Sequence, residues 1–68
     1  MSTSTYTVAG MTCGHCVNAV TEEVGQVAGV TNVDVDLQSG TVTVTSENPV
    51  DVELIRAAVD EAGYELKA

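Results

Sequence analysis

The chain has 68 residues, enough for one domain with a modest core, and ten acids against two cations give a formal net charge of −8. That balance argues against nucleic acid or an anionic membrane surface as a partner. No apolar run approaches a membrane span, and Met1-Ser2-Thr3-Ser4-Thr5 has neither the basic residue nor the apolar run of a targeting peptide.

In chain order, Thr5-Tyr6-Thr7-Val8-Ala9 alternates as a strand does. Gly10 ends it and opens the stretch Gly10-Met11-Thr12-Cys13-Gly14-His15-Cys16, which holds both cysteines and the only histidine. From Cys16 the apolar positions run Cys16, Val17, Val20, Val24 and Val27, one helical stripe, so a helix is expected over Cys16 to Val27 with Gly29 as terminator. Val33, Val35 and Leu37 alternate with Asn32, Asp34 and Asp36, a strand over Val30 to Leu37 with one wet face. Gln38-Ser39-Gly40 turns the chain, and Thr41 to Thr45 returns as the second strand of a hairpin.

Glu47-Asn48-Pro49 reads as a connector. Asp51 stands near the start of a second helix that carries Val52, Ile55, Val59 and Ala62 on one face, and Gly63 follows as its C-terminal cap. Tyr64 to Lys67 alternates as a last strand. The order β-α-β-β-α-β predicts an α+β, ferredoxin-like fold, a four-stranded antiparallel sheet with two helices on one face. Residues 1–68 are expected to form this single domain, ordered over about 5–67, with the first few residues mobile.

Chemistry concentrates in Cys13-Gly14-His15-Cys16. Two thiols at this spacing can face one soft metal ion or close a small disulfide ring, and thiolate favours Cu(I), Zn(II) or iron–sulfur clusters over hard cations. A helix beginning at the second cysteine would point N–H groups and its positive end toward the sulfurs, favouring thiolate. Three other readings compete. The cysteines could be buried packing residues, half of a zinc site, or a thioredoxin-like redox pair. A structural zinc wants four protein ligands and the chain offers three nitrogen or sulfur candidates; the chain is also too short for the usual thioredoxin-like domain, and no Trp precedes the motif. Nor can a ring between cysteines three positions apart staple the fold, which must stand on its aliphatic core without metal.

Gly-Met-Thr-Cys-Gly-His-Cys, directly after a strand, resembles the signature of the heavy-metal-associated (HMA) domain family, in particular its small bacterial copper chaperones. The resemblance continues through Gly29-Val30, Val33-x-Val35-x-Leu37, Ile55-x-x-Ala58-Val59 and Ala62-Gly63-Tyr64, from about Tyr6 to Leu66. It implies that Cys13 and Cys16 bind one Cu(I) in a near-linear, two-coordinate way. It also implies delivery of that ion to a copper-transporting P-type ATPase, whose N-terminal domains share the motif. By the same resemblance Met11 packs under the loop without ligating, and Tyr64 takes the position beside the metal where bacterial members often carry an aromatic. Eukaryotic chaperones carry Lys there and have more basic surfaces, so their docking polarity does not transfer to this acidic chain.

His15 has three readings: a tuner of thiolate protonation, a bystander, or a third ligand. Tyr64 could be core filling alone. Cys13, in the loop, is expected to be the more exposed sulfur; Cys16, on the apolar stripe, the one nearer the core. The acidic surface has two readings, solubility or a docking face for a basic patch. A metal-bridged homodimer is a further arrangement. No general base, phosphate loop or activated nucleophile appears, so no enzyme is expected, and the setting is expected to be cytoplasmic. Two other classes stay open: a dithiol redox module, and a carrier or sensor domain for Hg(II), Zn(II) or Cd(II). An excised ATPase domain would look much the same, although the start at Met1 and the end just after the last strand favour an independent protein.

Overall fold

The computed structural model describes residues 1–11 and 14–67. Its elements are β1 (Ser2–Ala9), α1 (Gly14–Gly25), β2 (Val30–Asp36), β3 (Thr41–Ser46), α2 (Val52–Glu61) and β4 (Glu65–Leu66). The sheet order is β2-β3-β1-β4 and every pairing is antiparallel. This is the ferredoxin-like arrangement that the element order predicts.

Alternation in the strands divides the sheet into two chemically different faces. Val42 and Val44 of β3 are buried, with Tyr6 and Val35 across from Val42 and Val33 across from Val44, while Val8 lies across from Leu66 of β4. Against this face pack Val20 and Val24 of α1 and Ile55 and Val59 of α2, none of them exposed at all. On the other face Thr3, Thr5 and Thr7 of β1 stand opposite Thr45, Thr43 and Thr41 of β3, and the hydroxyls of Thr5 and Thr43 lie 3.3 Å apart. Threonine suits this wet face because its β-branch favours strand backbone while its hydroxyl stays hydrated.

β1 begins at Ser2, three residues ahead of the alternation that starts at Thr5. Ser2 and Ser4 occupy core-side register positions opposite Ser46 and Val44, so they are tied into the sheet. Small polar residues there carry no hydrophobic signal. α1 runs Gly14–Gly25 rather than Cys16 to Val27. After Gly25 the chain tightens into i→i−3 bonds, Gln26 N–H to the Glu23 carbonyl and Val27 N–H to the Val24 carbonyl, while Val27 still packs on the core. β2 stops at Asp36, whose carboxylate accepts the N–H groups of Gln38 and Ser39 and so fixes the turn before Leu37 can continue the ladder.

α2 is capped at both ends. Asp51, in extended conformation, accepts the Glu53 N–H at 3.0 Å. At the other end Tyr64 N–H bonds the Val59 carbonyl and Gly63 N–H the Asp60 carbonyl, a Schellman closure that requires the left-handed φ of +94° at Gly63. Val52 is 39% exposed, so it does not share the buried face expected of it; Val50, one residue before the cap, packs on the core instead. Asp51→Ala should cost about 1 kcal/mol, a fall in Tm of about 4–8 °C, read by thermal circular dichroism. An unchanged Tm would mean the cap does not hold α2.

Candidate metal centre

β1 delivers the chain to Gly10, where φ is +96° and the backbone turns out of the sheet. A Cβ placed on Gly10 would meet Cδ1 of Tyr64 at 3.4 Å. The aromatic ring therefore lies against the base of the loop, carried there by the Schellman closure of α2. Tyr64 is half-buried and packs on the core, as does Met11.

Helix α1 starts at Gly14, so Cys16 is its third residue and not its first. Glycine carries no helical signal, which is why the start is displaced in the sequence reading. The physical consequence survives the shift. Cys16 still stands in the first turn, among N–H groups that have no partner within the helix, and that turn contains no acid to offset its positive end. Such a setting favours thiolate. Cys16 is also buried, 7% exposed, on the same face as Val20 and Val24. Cys16 thus lies on the core side of α1. Cys13 lies outside the described residues. His15 is exposed, one residue before Cys16. Among the described residues no three His, Cys, Asp or Glu side chains gather into a metal cage.

Hydrogen bonding also ties the β2–β3 turn to this end of the sheet. Val8 N–H donates to the Gly40 carbonyl at 2.8 Å, which brings the β2–β3 turn beside the last residues of β1. The sequence reading did not foresee this contact of Gly40 with β1. The signal available for it was Gly40 itself, whose φ is +72°.

Charge is distributed over the rest of the surface. Arg56 lies 3.6 Å from Glu53, and the Lys67 ammonium lies 2.7 Å from the Glu65 carboxylate. That hydrogen bond and its charge hold Glu65 below the ordinary carboxylate range and raise Lys67. Both cations are thus engaged by neighbouring acids. Among the described residues no helix is long and apolar enough to cross a membrane.

Comparison with known proteins agrees with this geometry. The copper chaperone CopZ of Staphylococcus haemolyticus is 43% identical over 61 residues, covering 88% of this chain and 90% of the relative. A solved CopZ metallochaperone superposes with a TM-score of 0.91 at 36% identity, covering 97% of this chain and all of the other. A copper binding domain from a P-type ATPase superposes with a TM-score of 0.89 at 32% identity over 98% of this chain and 92% of that one. The model of the heavy-metal-associated domain matches residues 5–65. With its ferredoxin-like sheet and its cysteine in the first turn of α1, this chain belongs to the heavy-metal-associated domain family.

Proposed function

We propose that the chain is a cytosolic copper chaperone that carries one Cu(I) between Cys13 and Cys16 and hands it to a copper-transporting P-type ATPase. The observation that carries this reading is Cys16 in the first turn of α1, with a second thiol three positions before it. Relatives named as copper chaperones and an ATPase domain of the same fold support the cargo and the partner.

Cu(I) is here the cargo. Two thiolates satisfy a soft ion with few ligands and leave its flank open. A thiolate of the acceptor adds to the ion first, giving three sulfurs. A resident thiolate then leaves, and the ion passes over without being released to solvent. The positive end of α1 helps Cys16 stay deprotonated throughout. No bond is made or broken other than metal–sulfur bonds, so the reading is that of a carrier and not of a catalyst.

His15, exposed beside Cys16, tunes thiolate protonation in this account and does not ligate. Anaerobic titration with Cu(I) and, separately, Zn(II) against a competing chelator tests the reading. One Cu(I) per chain, held in preference to Zn(II), is expected. His15→Ala should keep that stoichiometry and shift the pH dependence of binding. X-ray absorption should show sulfur neighbours alone. A nitrogen neighbour lost in His15→Ala would make His15 a third ligand, and preference for Zn(II) would remove copper as the cargo.

A further inference from the structure

β2 lies at the edge of the sheet and, among the described residues, pairs only with β3. Beside it, the C-terminal half of α1 leaves a groove of about 210 Å³ between Thr21 and Gly25 on the helix and Val30 to Val33 on the strand. For scale, a cavity of about 150 Å³ holds a benzene ring. A Cβ at Gly25 would meet nothing within 4 Å, so the space beside this residue is open. An edge strand flanked by a helix, with a groove between them, is the geometry that accepts an added strand from a partner.

The charge along this edge selects the occupant. Asn32, Asp34 and Asp36 point to the wet face of β2, and Glu22 is exposed on α1 next to Thr21. The chain's two cations lie elsewhere, Arg56 on α2 and Lys67 just after β4 at the opposite edge. A second copy pairing here would set Asp34 and Asp36 against acids of its own kind, which is unfavourable. An incoming strand with Lys or Arg at alternate positions would instead place its cations across from Asp34 and Asp36. Its intervening residues would then fall on the helix side, beside Val33 and over the groove. The strand is regular from Asn32 to Asp36, where its acids stand. Its one irregularity lies between Val30 and Asn32, where Thr31 bonds its hydroxyl to the Thr45 carbonyl at 3.2 Å.

We propose that the β2 edge and the α1 groove form a second docking site, for an extended segment of a partner that alternates basic and aliphatic residues. Gly25 stands nine residues beyond Cys16, about 13 Å along the helix axis, so the site is separate from the cysteines and needs no metal. A partner bound here would keep its own metal domain near the loop at high effective concentration.

The test uses the apo chain, labelled with nitrogen-15, and a blocked synthetic peptide of alternating lysine and valine as long as β2. Saturable amide shifts over Val30–Asp36 together with Thr21 and Gly25 are expected. Asp34→Lys/Asp36→Lys should weaken binding about tenfold, two exposed ion pairs of up to about 0.7 kcal/mol each, and should create binding for the same peptide with glutamate in place of lysine. Gly25→Leu, in a helical and open position, should fold and block the groove. No saturable binding, or shifts spread equally over Asp60 and Glu61 of α2, would overturn the proposal. So would concentration-dependent self-association of the chain through β2.

Discussion

Replacing Cys13 and Cys16 together, as Cys13→Ser/Cys16→Ala, should remove Cu(I) binding altogether while leaving the fold intact. Soft-metal binding in this chain has no other thiol to draw on. Alanine is chosen at Cys16 because the residue is buried in line with Val20 and Val24, where an apolar side chain adds no hydroxyl to desolvate. Each single replacement should weaken Cu(I) binding by more than roughly 100-fold, the upper end of what losing a mere neighbour of a ligand costs. The check is retention of Cu(I) through gel filtration against a chelator, with circular dichroism to confirm folding. Retention of one Cu(I) by the folded double variant would place the cargo elsewhere.

The second large effect concerns the core. Ile55 is fully buried where α2 meets the sheet, surrounded by valines that cannot extend into a gap. Ile55→Ala should cost about 2–5 kcal/mol. A domain of this size has roughly 3–10 kcal/mol to lose. The variant should therefore be partly or wholly unfolded at room temperature, seen as a collapsed or vanished urea transition by circular dichroism. The wild-type apo chain should show a full cooperative transition, because apolar packing and not metal holds the domain. A change under about 1 kcal/mol in Ile55→Ala would mean that α2 is not anchored through this residue.

Where a residue's chemistry and its position agree, the fold could be read from the chain. Val42 and Val44 alternate with threonines in β3 and are buried as alternation requires. Asp51 is a cap by residue type and a cap in the structure. Silent residues mark the failures. Ser2 and Ser4 sit on the core side of β1 without apolar groups to announce it, and Gly14 opens α1 despite its poor helix propensity. Val52 failed for the opposite reason. Its apolar character promised burial, but Val50 reaches the core first as the chain enters α2.

At the candidate metal centre the loop motif singled out the cysteines and the histidine, and the periodicity of α1 placed Cys16 toward the core. What spacing could not convey is the support behind them. The Schellman closure of α2 swings Tyr64 against Gly10, and the β2–β3 turn is bound to β1 through Gly40 and Val8. These contacts join residues far apart in sequence. Each rests on a left-handed glycine, Gly63 for the first and Gly40 for the second.

The carrier account is tested most directly by a transfer measurement. The chain loaded with Cu(I) is mixed anaerobically with the apo copper binding domain of a copper-transporting P-type ATPase, and the two are separated by anion exchange on the strength of the chain's net charge of −8. A copper chelator too weak to strip the loaded chain is present throughout. The account predicts that copper distributes between the two proteins within the mixing time and that the chelator captures none. Copper that stays on the chain, or reaches the domain only as fast as the chelator can intercept it, would contradict direct ligand exchange.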